Sequence, residues 1–333
     1  MNRCPGCFKP DSETFCTTCH RALFGKGRKR VPAVLPFTRP AYDKEKLEVT
    51  GDRLSISGIQ TKISLALVDG QLQMVKSGGQ YILKPRPHGT FKRLEAAPIN
   101  EHLTMQIARQ VFKISVADNA LVTFQDGEYA YLVRRFDVQS DGHKSLQEDF
   151  AQIAGRSPES HGENFKYDFS YEAIGDLIRQ HVATYRVDLE RFFTLVVFNY
   201  LVNNGDAHAK NFSLIRDDAT SQYNVTPAYD LLNTRLHLPD ESRTALELFK
   251  DEFETVSYKA NAFYAYDDFA ELAKRLDLVE KRYKRILETF IGKGNEVEAM
   301  IDGSVLTDEC KSLYKDHVRD RIRALSHSLT KIR

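Results

Sequence analysis

The sequence predicts an α+β protein of two lobes, a β-rich front half and a helical back half with a cleft between them. Three observations carry this expectation. Short apolar runs broken by Asp-Gly turns fill residues 51–144, and apolar stripes of helical period dominate from residue 145. An acid, an amide and a second acid, Asp206, Asn211 and Asp230, fall where regular elements end. The 333 residues are enough for one large or two medium domains, and the 42% apolar and 28% charged fractions are ordinary for a globular chain. A formal net charge of +1 gives no electrostatic case for bulk nucleic-acid binding. No apolar run approaches the ~20 residues of a membrane span. Four of five cysteines lie within residues 4–19, where a signal peptide would need an apolar core, so a reducing cytoplasm is expected.

Residues 1–25 read as a metal knuckle. Cys4-Pro-Gly-Cys7 and Cys16-Thr-Thr-Cys19 can supply four thiolates to one tetrahedral Zn²⁺. A redox dithiol competes with that reading, and His20 could replace Cys19 as a ligand. So short a segment would depend on its metal for folding. Residues 26–50 read as a solvated linker: Arg21, Lys26, Arg28, Lys29 and Arg30 precede Pro32, Pro36 and Pro40. A knuckle with a basic tail could also touch RNA or DNA, although no aromatic residue is interleaved for stacking.

Within residues 51–144, the Ser/Gly stretch Leu54–Lys62 leads into a strand at Ile63–Val68, and Asp69-Gly70 turns it. Met74-Val75 continues the sheet, and Gln80–Lys84 is a third strand ended by Pro85. A Ser/Gly loop beside a strand can lay N–H groups along phosphates. Lys84 stands where a phosphate-binding lysine would; its other reading is a solvated strand end. Pro98-Ile99-Asn100-Glu101 opens a helix with Ile99, Leu103, Ile107 and Val111 on one stripe. Glu101 either pairs with Lys84 or complements the helix dipole. Leu121–Phe124 and Tyr129–Phe136 flank Asp126-Gly127 as a hairpin, and Arg135-Phe136-Asp137 leads into a crossover whose backbone could bind adenine.

Residues 145–333 read as helices at Gln147–Ala154, Tyr171–Val182, Asp188–Val202, Tyr266–Leu276 and Val279–Ile291, with strands at Asn211–Ile215 and Tyr223–Thr226. The apolar run Phe192–Val202 stops at Asn203-Asn204-Gly205, where positive φ costs little. Alone, Asp206 would be a turn residue. With Asn211 and Asp230 in step, the set matches a Mg·ATP phosphotransfer site. One carboxylate accepts the proton of the attacking hydroxyl; the amide oxygen and the other carboxylate hold Mg²⁺ against the phosphates. Cys310 is expected to be a small buried hydrophobe.

These stretches, in this order, resemble the HipA family of bacterial toxin serine/threonine kinases. The match runs through Ser55–Lys62, Tyr81–Pro85, Asn100-Glu101-His102, Arg135-Phe136-Asp137, Gln147–Phe150, Asn204–Ser213 and Ala228–Leu231. The resemblance implies a bilobed fold like that of HipA and phosphoinositide kinases. It implies Asp206 as catalytic base, Asn211 and Asp230 as Mg²⁺ ligands, and Lys84 as the ATP-phosphate contact. Ser55, Ile56, Ser57, Gly58 and Gln60 would form the Gly-rich loop, with Glu101, His208 and Lys210 also at the nucleotide. Ser55 or Ser57 would be autophosphorylated, and the added charge would repel ATP phosphates. Longer members carry a further β-rich subdomain before the Ser/Gly loop; here the cysteine segment and linker precede it, so the chain looks most like the shorter HipT-type kinases. The implied activity arrests growth by phosphorylating a translation-related protein such as an aminoacyl-tRNA synthetase. Implied partners are antitoxins of HipB or HipS type, with nucleic acid reached only through them and no membrane involved. Two alternatives stand beside this. One is a nucleic-acid-associated regulator using the knuckle and basic linker on a vestigial kinase fold; the other is a kinase of small molecules.

Overall fold

The computed structural model describes residues 3–10, 12, 14–26, 29–40, 60–139 and 142–330. The cysteine segment contains helix α1 (Thr17–Phe24), which buries Leu23 and Phe24. The front sheet follows: β1 (Ile63–Val68), β2 (Gln71–Met74), β3 (Tyr81–Pro85), then helix α2 (Ala97–Gln110), β4 (Asn119–Thr123) and β5 (Tyr129–Arg134). The strands lie in the order β2-β1-β3-β5-β4, each antiparallel to its neighbours. Asp69 (φ 51°) and Gly70 (φ 83°) both occupy the left-handed region, as a two-residue hairpin with right-twisted strands requires.

Period-two patterning gives this sheet two buried faces. Leu121, Tyr131 and Val133 pack with Ile99, Leu103 and Ile107 of α2. Their alternates Ala120, Val122, Ala130 and Leu132 pack with Phe15, Leu23, Phe24, Val31 and Leu35 from the N-terminal segment. The cysteine segment is therefore the cover of the outer face, and part of its stability comes from burial. Residues 29–40 depart from the expected solvated linker. Leu35 N–H donates to Thr123 O at 2.8 Å and Thr123 N–H to Ala33 O at 3.0 Å, which extends the β4 edge. Val31 and Leu35 are buried beneath it, so the apolar residues between the prolines outweigh the basic ones that suggested solvent.

The back half holds a small sheet, β6 (Gln147–Asp149), β7 (Ser213–Arg216) and β8 (Tyr223–Val225), in the order β6-β7-β8. Around it lie α3 (Tyr171–His181), α4 (Tyr185–Leu201), α5 (Tyr266–Arg275), α6 (Glu280–Gly292), α7 (Gly294–Asp302) and α8 (Asp308–Ser326). The helix expected at Gln147–Ala154 is shorter than its pattern. Gln147–Asp149 pairs with β7 instead, and Asp149 caps a single turn, Phe150–Ile153, by accepting from Gln152 N–H at 2.9 Å. Helix α8 is an addition to the expected set. Thr307 caps it, and Cys310, Tyr314, Val318 and Leu325 form its buried stripe. Cys310 is buried there as expected.

Candidate active site

Helix α4 ends where its carbonyls meet a left-handed residue. Asn203 takes φ 55°, and Asn204 N–H reaches back to Asn199 O at 2.9 Å. The sequence offered Asn203-Asn204-Gly205 for this role and Asn203 takes it; at Gly205 an added Cβ would meet the Glu241 side chain at 2.5 Å. The loop is sewn to the segment after β8. Gly205 N–H donates to Thr234 Oγ1 at 2.8 Å, Thr234 N–H to Asn203 O at 3.1 Å, and Asn204 Nδ2 to the Asp230 carbonyl at 3.4 Å. A further tie comes from α2: Asn100 Nδ2 donates to Asn233 O at 2.9 Å, and Asn233 N–H returns a bond to Asn100 Oδ1 at 3.0 Å. These ties hold the loops carrying Asp206 and Asp230 against each other and against the front lobe.

The register of β3 against β5 sets Lys84 opposite Tyr131, on the sheet face that looks toward α2. Its ammonium lies 5.5 Å from the Tyr131 ring and donates to Glu101 Oε1 at 2.5 Å and to Asp230 Oδ1. Lys84 and Glu101 are both fully buried, so the solvated-strand-end and helix-dipole readings give way to a paired ion cluster. Burial raises the Glu101 pKa and Lys84 opposes that. For Asp230 burial also pushes upward, but Lys84 and Lys62 outweigh it and hold the carboxyl below its usual range. Burial would discharge Lys84, yet the two carboxylates hold its pKa above the ordinary lysine value. Asp230 itself adopts a left-handed backbone, φ 54°.

Asp206 is buried, accepts a hydrogen bond from Tyr167 Oη at 2.7 Å, and lies 3.6 Å from His208 Nε2. Burial, with Lys166 beside it, lowers the His208 pKa to about 3, so its ring is neutral. Lys166 also stands near Asp206; burial lowers its pKa while Asp206 opposes the shift. Asn211 is buried on a 3-10 turn and its Oδ1 has no hydrogen-bond partner among the described residues. A buried amide oxygen left unanswered among the described residues is the kind of donor that a hard cation takes. Lys210 donates to Asp149 Oδ2 at 2.8 Å. Gln60 is buried, and its Nε2 has no partner among the described residues, outside which lie Ser55, Ile56, Ser57 and Gly58. Tyr167, Lys166, Asn100 and Thr234 are site residues that the sequence reading passed over. Asn100 was within reach, since it adjoins Glu101 in a matched stretch.

The four N-terminal cysteines lie elsewhere, against the sheet's outer face. Their sulfurs fall within 4.8 Å of one another, with Cys7 and Cys16 at 3.9 Å. That is far beyond a disulfide bond and near the ~3.8 Å edge of a tetrahedron with metal–sulfur bonds of ~2.3 Å. Crowded this closely, the thiols cannot all ionise without a cation among them. Hydrogen bonds from Cys19 and Cys7 draw Cys4 well below the ordinary thiol range, and the bond to Cys4 pushes Cys19 above it. His20 is not part of the cluster; its Nε2 meets Val31 N–H at 3.3 Å and Lys29 O at 3.1 Å.

Comparison with known proteins agrees with this architecture. The HipA-like C-terminal domain family matches residues 54–297. A Haemophilus influenzae protein is 30% identical over 266 residues, 73% of each chain. The serine/threonine-protein kinase toxin HipA of Shewanella oneidensis is 28% identical over 256 residues, 67% of this chain and 53% of that one. In structure, the Shewanella oneidensis HipA solved with HipB and operator DNA superposes with a TM-score of 0.62 at 22% identity, covering 84% of this chain and 67% of that chain. The Helicobacter pylori proinflammatory kinase CtkA gives a TM-score of 0.54 at 16% identity, covering 79% and 90%. At these identities the structural likeness is one of fold, and it is a kinase fold. The chain belongs to the family of the HipA-like C-terminal domain.

Proposed function

We propose that this chain is an ATP-dependent serine/threonine protein kinase and the toxin of a toxin–antitoxin pair. The observation that carries the reading is the convergence of Lys84, Glu101 and Asp230 in one ion cluster, with the loop of Asp206 and Asn211 bonded to the Asp230 segment. An ammonium has three donors. Two go to Glu101 and Asp230, and the third would meet an ATP phosphate oxygen. Asn211 and Asp230 would hold Mg²⁺, which neutralises phosphate charge when bound. Asp206, oriented by Tyr167, would take the proton of the attacking hydroxyl. Phosphoryl transfer asks little covalent chemistry of the protein, so positioning and charge compensation by these side chains do most of the work.

The finer assignments follow the family. Residues 51–144 would form the front lobe and 145–333 the back lobe, with adenine at their junction near Arg135-Phe136-Asp137. The substrate would be a translation-related protein, an aminoacyl-tRNA synthetase by resemblance, and the antitoxin would be of HipB or HipS type. Ser55 or Ser57 would carry the autophosphate. The docked cysteine segment turns Phe15, Leu23 and Phe24 inward, which leaves the nucleic-acid alternative, among the described basic residues of residues 1–30, the exposed Lys9, Arg21, Lys26, Lys29 and Arg30.

The test is phosphoproteomics after short induction of the wild-type chain and of Asp206→Asn. Asparagine keeps the acceptor for Tyr167 but cannot take a proton, so phosphorylation should fall by about 10²–10⁴ with the fold intact. One dominant protein substrate and a phosphate on Ser55 or Ser57 are expected. Asp206→Asn with wild-type phosphorylation would remove the assignment.

A further inference from the structure

The cysteine segment touches both elements that hold the Lys84–Glu101 pair. On the α2 side, the Phe8 ring centroid lies 4.7 Å from that of His102, the residue after Glu101. Gln110 Nε2 donates to Cys7 O at 3.0 Å and to Gln106 Oε1 at 2.9 Å. The chain of bonds continues inward: Asn119 Oδ1 accepts from Gln106 Nε2 at 3.0 Å and from His102 Nδ1 at 2.7 Å. On the sheet side, Leu121 N–H donates to Pro5 O at 2.9 Å, and Arg134 Nη1 to Ala22 O at 2.7 Å. Tyr81, three residues before Lys84 on β3, donates to Leu23 O at 2.9 Å and lies 5.8 Å from the Phe24 ring.

The atoms that make these contacts belong to the cysteine turns or to the helix that follows Cys16. Pro5 lies within the first turn, Cys7 closes it, and Phe8 follows with a left-handed backbone, φ 61°. Cys4 O accepts from both Cys7 N–H and Phe8 N–H, at 3.3 and 2.9 Å. Gly6 is needed there, because an added Cβ would meet Cys19 Sγ at 2.8 Å. The conformation of the thiol cluster therefore fixes where Pro5, Cys7, Phe8 and Leu23 sit. Those four in turn fix α2 against β3.

We propose that Cys4, Cys7, Cys16 and Cys19, holding one zinc ion, position the kinase site by setting α2 against β3 and so the reach of Glu101 to Lys84. The cluster acts at a distance from the phosphate site, through Pro5, Cys7, Phe8, Ala22, Leu23 and Phe24. The coupling itself follows from the contacts above; its effect on phosphoryl transfer rests on the kinase reading.

The full-length chain is purified with zinc and compared with chelated wild type, Cys16→Ser and Gln110→Ala. Metal content, amide hydrogen exchange and ATP kinetics are measured on each. One zinc per chain is expected. Chelation should speed exchange in residues 81–85 and 97–110 about tenfold or more while α4 and α8 keep their protection. The KM for ATP should rise about tenfold, more than kcat falls, and zinc alone should restore it. Gln110→Ala keeps all four thiols and should reproduce a fraction of the exchange and KM changes with zinc still bound. The proposal fails if the chain takes up no zinc, or if zinc loss leaves exchange in α2 and β3 unchanged. It also fails if chelation melts α4 and α8 together with the front lobe, since the metal would then be a general staple. A zinc-loaded chain that transfers no phosphate but still shows the exchange response would sink the kinase reading and leave the positioning intact.

Discussion

The site has two halves that differ in how their polar groups are satisfied. In the half built from Lys84, Glu101 and Asp230, every charge has an opposite charge in contact. In the half built from Asp206, His208 and Asn211, two buried atoms, Asn211 Oδ1 and His208 Nδ1, have no partner among the described residues. The first half resembles a structural ion cluster that fixes the spacing between the lobes. The second is shaped for something that arrives. Buried polar atoms without partners are uncommon in folded proteins and concentrate where a ligand or ion completes them. Stability and function should therefore separate between the halves, and mutations can test that separation.

The largest stability effect is expected from Lys84→Met. Methionine fills similar volume but leaves Glu101 and Asp230 facing each other, with Glu101 buried and the weaker pull of Lys62 left to offset their charges. Removing one partner of such a cluster costs about 3–5 kcal/mol. Chemical denaturation at pH 7 should show that loss, and part of it should return at lower pH as Glu101 takes up a proton. A loss under about 1 kcal/mol would mean that the first half is no more structural than the second.

His208 gives an intermediate effect with a pH signature. Its folded pKa, about 3, lies below the ordinary 6.5, chiefly because of burial and next because of Lys166. The unfolded chain binds the proton first, so the stabilising contribution is complete above pH 6.5 and is lost as pH falls toward 3. Replacing His208 by Gln should flatten the stability profile across that window by an amount on the order of a few kcal/mol at its acid end. His102 and His317, both lowered to about 4 by burial, keep the profile from becoming level. An unchanged acid slope in the variant would show that His208 is already protonated near neutrality.

The same contrast explains what could be read from the sequence. Asp206 and Asn211 lie on one turn, so their five-residue spacing already put them on the same side of a loop. Lys84 and Glu101 are on separate elements, and nothing local decided between an ion pair and a helix dipole until the β3–β5 register turned Lys84 toward α2. The Asn100–Asn233 amide pair spans 133 residues and has no local signature. Tyr167 sits in a polar loop that offers no pattern to single it out. The turn at Asn203-Asn204-Gly205 was legible, but the approach of Glu241 to Gly205 was not. In residues 29–40 proline and arginine suggest solvent, whereas the apolar Val31 and Leu35 dock on the sheet. Strand β6 is polar throughout and is defined only by its partner, Ser213–Arg216. By contrast, the stripe Cys310, Tyr314, Val318 behind the Thr307 cap was available as a helix signal and went unused.

The smallest stability effect, and the one that most sharply divides the halves, is expected from Asn211→Ala. The Oδ1 of Asn211 makes no hydrogen bond among the described residues, so its loss takes away none of those bonds and relieves a buried acceptor of its desolvation cost. A small void opposes that gain, and unfolding free energy should stay within about 1 kcal/mol of wild type. If the oxygen is a Mg²⁺ ligand, phosphoryl transfer should nevertheless fall about a hundredfold or more, and excess Mg²⁺ should recover part of it. Stability held while metal-dependent activity is lost would place the function of this half in what it binds. A stability loss as large as that of Lys84→Met would show instead that Asn211 is ordinary core and that both halves are built alike.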